Sequence, residues 1–125
     1  MAYKPQILMV EDEVFIAMVL EDILSDAGYE VIGVTSLAEG LRVSAADGFD
    51  AAILDVNLHR ELVFPLAEQL RGQGVPFLFA SGYGKEEIPE EFHSYETLLK
   101  PFNAKTILNA VATLLQDRQK AQAVL

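Results

Sequence analysis

Ile7-Leu8-Met9-Val10-Glu11-Asp12 is a four-residue apolar run that stops on two carboxylates, and the chain repeats the pattern three times. Asp55 follows Ala51-Ala52-Ile53-Leu54, Ser81 follows Phe77-Leu78-Phe79-Ala80, and Lys100-Pro101 follows Leu98-Leu99. Short apolar runs without polar alternation fit strands buried on both faces of a parallel sheet. In an open α/β sheet the carboxyl ends of the strands border the crevice where ligands bind. Carboxylates from two strands, a hydroxyl from a third and an ammonium from a fourth then converge on one small site. Those groups suit a divalent cation and a phosphoryl group.

The segments between these runs supply the helices. Ile16, Val19, Leu20, Ile23, Leu24 and Ala27 recur at helical spacing, and Gly28 marks a C-terminal cap. Tyr29 to Val34 reads as a strand. Ser36 is placed to N-cap a helix reaching about Asp47, and Asp50 opens the next strand. A helix is predicted from about Val63 to Arg71, with Pro65 in its first turn. Asn103 caps a last helix striped by Ile107, Val111, Leu114 and Leu115. Five strands alternating with helices imply a parallel sheet with right-handed crossovers.

The stretch from Gly82 to Glu96 interrupts this rhythm. Pro89 lies mid-segment, with Gly82 and Gly84 before it and acids at 86, 87, 90 and 91. Proline removes a helical hydrogen bond and turns the residue before it away from helical geometry. One or two helical turns at most are expected here, either as a surface loop or as a remodelled signalling face.

With 125 residues the chain is read as a single domain, its core about residues 6–116 and its ends, 1–5 and roughly 119–125, loose. Cysteine is absent, which excludes disulfides, thiolate metal sites and cysteine nucleophiles together. Net charge is −10, from 9 basic and 19 acidic residues, which argues against nucleic acid as a partner. No run approaches a membrane span and no secretory signal opens the chain, so no membrane association and a cytoplasmic location are expected.

Each site residue also has an ordinary reading. Glu11-Asp12-Glu13 could be a solvated first helical turn. Asp55 could cap a junction, Ser81 could satisfy a turn, and Lys100 could lie on the surface. His59 and His93 share no metal-pair spacing and read as surface residues, and no P-loop or dinucleotide fingerprint is present. What raises the set is convergence. Clustered carboxylates repel unless a cation joins them, and an aspartate so placed is a competent nucleophile toward phosphorus. Asp12 and Asp55 suit direct coordination, with Glu11 acting through water.

The acidic pair 11–12, Asp55, Ser81 and Lys100-Pro101, in this order, resemble the receiver domain of two-component response regulators, over about Gln6 to Gln116. Pro76-Phe77-Leu78-Phe79-Ala80-Ser81-Gly82-Tyr83 is similar to the Pro-Phe-x-Phe-Ala-Thr-Gly-Tyr signature of the stand-alone FAT GUY subgroup. The resemblance implies a flavodoxin-like three-layer fold with strand order 2-1-3-4-5. It implies Mg²⁺ (or Mn²⁺) held by Asp12, Asp55, Glu11 and the backbone carbonyl of Asn57. It further implies a phosphoryl group passing from a sensor histidine kinase to Asp55, with Lys100 contacting that group and Ser81 sensing it. Output would then pass to a downstream regulator or phosphotransfer protein, or the domain would drain phosphoryl groups; a DNA-binding or catalytic output domain is not expected on this chain.

Two departures stand out. Serine replaces the signature's threonine at 81, and Thr97 occupies the position, three before Lys100, where many receivers carry an aromatic switch. Readout is therefore expected through the 82–96 segment. Rival readings are an aspartyl-phosphate phosphatase, a flavin carrier of the same fold, and a pseudo-receiver that only binds a partner. The phosphatase wants an acid at position 57, and the flavin carrier wants a hydroxyl-rich loop where Glu11-Asp12-Glu13 stands.

Overall fold

The computed structural model describes residues 3–123, with side chains through Arg118. Chain order is β1 (Gln6–Val10), α1 (Val14–Asp26), β2 (Glu30–Val34), α2 (Leu37–Ala46), β3 (Ala51–Asp55), β4 (Asn57–Leu58), β5 (Glu61–Leu62), α3 (Phe64–Gly72), β6 (Phe77–Ser81), β7 (Thr97–Leu99) and α4 (Ala104–Ala123). Five strands form one parallel sheet, ordered β2-β1-β3-β6-β7. This is the expected 2-1-3-4-5 order, with a small hairpin inserted before the fourth sheet strand.

Pleating divides the strands between two cores. Ile7, Met9, Ala51, Ile53 and Leu78 pack with Leu20, Leu24, Ile107 and Val111 of α1 and α4. Leu8, Val10, Ala52, Leu54, Phe77 and Phe79 pack on the other face with Leu66, Ala67 and Leu70 of α3, and Leu37 and Leu41 of α2 pack against them. Both faces being covered explains why the strands read as unbroken apolar runs. Gly40 sits at the α2–α3 contact, where a Cβ would stand 2.7 Å from Leu66 Cδ2. Ser36 Oγ accepts Glu39 N–H, and Asn103 Oδ1 accepts Thr106 N–H, so both anticipated caps form.

Three features depart from the sequence reading. The hairpin β4–β5 was not anticipated. Its turn residues His59 (φ 47°) and Arg60 (φ 74°) are both left-handed, as a two-residue type I′ turn requires. The C-terminal stretch expected to be loose from about 119 is helical to Ala123; residues 1–2 and 124–125 of the expected loose ends lie outside the described residues.

The third departure concerns the interrupted segment. It holds two short 3-10 turns, Gly84–Glu87 and Glu90–Phe92, in agreement with the proline argument. Its second half, however, is not a bare loop. Ile88 and Phe92 are buried, and Phe92 lies among Phe64, Phe77, Phe79 and Tyr95 with ring centroids 5.8 to 6.2 Å away. Arg71 also stacks its guanidinium 4.6 Å from the Phe92 ring centre. Before Ile88 the segment buries no side chain beyond Ser81.

Candidate functional site

The site forms at the carboxyl edge of the sheet because β1 and β3 run in register. Val10 pairs with Leu54, so Glu11 and Asp55 leave adjacent strands side by side. β6 lies against β3 on the other side, with Asp55 opposite Ala80. Lys100 N–H donates to the carbonyl of Ser81, which places the lysine just past the end of β7. The Lys100–Pro101 peptide is cis.

From there the Lys100 ammonium reaches back across the edge. Nζ donates to Glu11 Oε1 at 2.8 Å and to Asp55 Oδ1 at 3.1 Å. Glu11 is almost wholly buried and its second oxygen accepts Glu13 N–H at 3.2 Å. Its carboxylate is thus held directly by Lys100. Asp12 is turned toward the hairpin, where Oδ2 accepts His59 N–H at 3.0 Å, with His59 Nδ1 3.4 Å away. His59 is indeed a surface side chain, but its amide is part of the site's border.

Glu11, Asp12 and Asp55 each offer a carboxylate oxygen, all within 4.8 Å of one another. An all-oxygen acidic set of this size fits a hard divalent cation. Asn57 begins the hairpin, and its side-chain oxygen accepts Arg60 N–H at 3.2 Å.

The electrostatics follow from the crowding. Burial, then the Glu11 carboxylate, pushes Asp55 from 3.8 up to about 7, against the opposing pull of Lys100. For Lys100, burial acts downward, but the Glu11 hydrogen bond and the charges of Asp55 and Glu11 outweigh it and hold the ammonium above the usual lysine range. One lysine faces two carboxylates, so the cluster is short of positive charge.

Ser81 ends β6 beside Asp55, yet its hydroxyl does not join the cluster. It donates to Glu87 Oε1 and accepts Tyr83 N–H at 2.9 Å. Glu87 was one of four acids in a run, and nothing in the sequence set it apart. Thr97 has its hydroxyl buried without a hydrogen-bond partner.

Residues 7–112 match the family described as the response regulator receiver domain. The chain belongs to that family. SdrG from Sphingomonas melonis Fr1, solved in solution, is 41% identical, with a TM-score of 0.80 over 92% of this chain and 99% of that one. A CheY-like receiver domain protein from Methanospirillum hungatei JF-1, at 24% identity, shares the fold with a TM-score of 0.88 over 95% of this chain and 99% of that one. The uncharacterized transcriptional regulatory protein YbdJ of Bacillus subtilis (strain 168) is 29% identical over 117 residues, 89% of this chain and 51% of that protein. The receiver thus spans about half the length of the curated relatives it matches. Receiver domains are the signalling modules of two-component systems. Among the described residues, no helix of this one is long and apolar enough to cross a membrane.

Proposed function

We propose that this receiver accepts a phosphoryl group from a sensor histidine kinase onto Asp55, in a Mg²⁺-dependent (or Mn²⁺-dependent) reaction, and signals through a partner protein. One observation carries the reading: Asp55 ends its strand 3.1 Å from the Lys100 ammonium and inside a cluster of three carboxylates. In the transfer an Asp55 oxygen forms the new O–P bond as the P–N bond of the phosphohistidine breaks and the imidazole departs. Lys100 neutralises charge on the transferred group as a compact, fixed cation.

Asp12, Asp55, Glu11 and the Asn57 carbonyl would hold the metal, which when bound supplies the positive charge this cluster lacks. Asn57 carries an amide where an aspartyl-phosphate phosphatase would want a carboxylic acid, and its oxygen is engaged by Arg60. This supports a phosphoacceptor rather than an enzyme. The Pro76 to Tyr83 stretch supports placement in the FAT GUY subgroup, with Ser81 as the reporting hydroxyl. Residues 82–87, which precede the first buried anchor, are the part of the interrupted segment that readout would move, since Ile88 and Phe92 are fixed in the core.

Incubation with Mg²⁺ and acetyl phosphate, read by intact mass, tests the acceptor. Wild type is expected to gain one phosphoryl group and Asp55→Asn none; equal labelling of the variant would refute the assignment. Metal affinity is expected to depend more on Asp12 than on Glu11, because Glu11 is held by Lys100 and by Glu13 N–H. Calorimetric Mg²⁺ titration should show the larger loss in Asp12→Ala, and a larger loss in Glu11→Ala would reverse the ranking.

A further inference from the structure

The proton of the Ser81 hydroxyl is already engaged. It gives its proton to Glu87 Oε1 and receives Tyr83 N–H. A serine hydroxyl has one proton to donate, so while Glu87 holds it, none remains for a phosphoryl oxygen on the neighbouring strand end. The acceptor is a carboxylate, and hydrogen bonds to ionised partners are roughly twice as strong as neutral ones. Ser81 is itself buried, which removes water as an easy substitute.

Glu87 also stands at a boundary in the backbone. It closes the 3-10 turn Gly84–Glu87, and the next residue, Ile88, is buried. Gly82, with open space around it, lies between Ser81 and that turn, and Gly84, at φ +70°, opens it. Glycine adopts new backbone angles at little steric cost. The anchored side of the boundary therefore stays fixed while the residues from 82 to 87 can rearrange.

We propose that Glu87 is a positioning residue, a latch that keeps the Ser81 proton on the 84–87 turn until a phosphoryl group competes for it. Occupancy of Asp55 draws the hydroxyl away, breaks the bond to Glu87 and releases the turn with Tyr83, whose side chain is exposed. The latch gives this receiver a linkage from acceptor to surface without an aromatic at Thr97. It rests on the phosphoacceptor reading above.

The test measures beryllofluoride affinity at fixed Mg²⁺ by calorimetry in wild type, Glu87→Ala, Glu87→Gln, Ser81→Ala and the Ser81→Ala/Glu87→Ala double variant. Removing the latch is expected to tighten binding about tenfold, the scale of one lost charge-assisted hydrogen bond. Glu87→Gln, which keeps a weaker neutral acceptor, should tighten it about threefold, and it serves should the alanine variant fold poorly. On the Ser81→Ala background the Glu87→Ala change should shift affinity less than twofold. The Tyr83 amide resonance of Glu87→Ala, without beryllofluoride, should move toward its position in the bound wild type.

Equal affinity of wild type and both Glu87 variants overturns the latch. Equal tightening on both Ser81 backgrounds overturns it too, since that is simple repulsion between a carboxylate and an anion. A wild type that binds no beryllofluoride overturns the phosphoacceptor reading and the latch with it, so the two failures are told apart.

Discussion

Lys100→Ala is expected to destabilise the metal-free domain by about 3 kcal/mol, the lower end of what removing one partner of a buried charge cluster costs. Glu11 and Asp55 are both buried, and Lys100 hydrogen-bonds each of them. Without the ammonium the two carboxylates face each other in a low-dielectric edge with no counter-charge. Lys100 lowers Asp55, so its loss raises Asp55 further above about 7. A carboxyl raised in the folded state binds more protons there than in the unfolded chain, and stability then falls as pH rises. The deficit of the variant should therefore stay level from about pH 5 to pH 7 and widen as pH rises from about 7 to 9, and millimolar Mg²⁺ should restore much of it. Urea unfolding at pH 6 and pH 9, with and without Mg²⁺, checks this. A deficit indifferent to pH and metal would mean that Lys100 acts through packing alone.

Asp55→Asn is expected to do the opposite and stabilise the metal-free domain. With Asp55 at 3.8 unfolded and about 7 folded, wild type is at its best below pH 4 as far as this group is concerned. It loses that contribution as pH rises through 7. The amide cannot ionise, so the variant should gain on wild type over that window by on the order of 2–4 kcal/mol, levelling off above pH 7. Part of the gain is offset by the weaker Lys100 contact. Adding Mg²⁺ should narrow the gap, because only wild type offers the metal a carboxylate there. Thermal unfolding between pH 4 and 8 measures the curve; a variant less stable than wild type at pH 8 without metal would contradict the crowding argument. The same substitution that removes the proposed acceptor thus relaxes the site.

The sheet and the convergence of its polar ends were legible because the physics is local and repeated. An apolar run such as Ile7–Val10 or Phe77–Ala80 can only be buried on both faces, and its first polar successor must emerge at the sheet's edge. The caps at Ser36 and Asn103 were legible for the same local reason. The hairpin at 57–62 was not, since two-residue turns are usually marked by Asn-Gly or Asp-Gly and here His59 and Arg60 take the left-handed angles. Pro89 correctly foretold the broken helix, but it hid the anchoring of Phe92 and Tyr95, which depends on three rings from two other elements, Phe64 of α3 and Phe77 and Phe79 of β6. The partners of Glu11 and Glu87 were also invisible. Among neighbouring acids, sequence does not say which one turns inward or which oxygen meets which donor.

The division of the strands between two cores has a consequence for how the sheet finds its alignment. Slide β1 by one residue and Leu8 and Val10 exchange places with Ile7 and Met9, all of them aliphatic or thioether side chains of similar bulk. Oil on both sides makes such a slip nearly invisible to burial, unlike a sheet with one wet face, where it would turn every apolar side chain into water. What the slip cannot survive is its effect at the strand ends, where Glu11 would no longer meet the Lys100 ammonium beside Asp55. The charged groups gathered at the strand ends are thus also the ruler by which the chain measures its own strands.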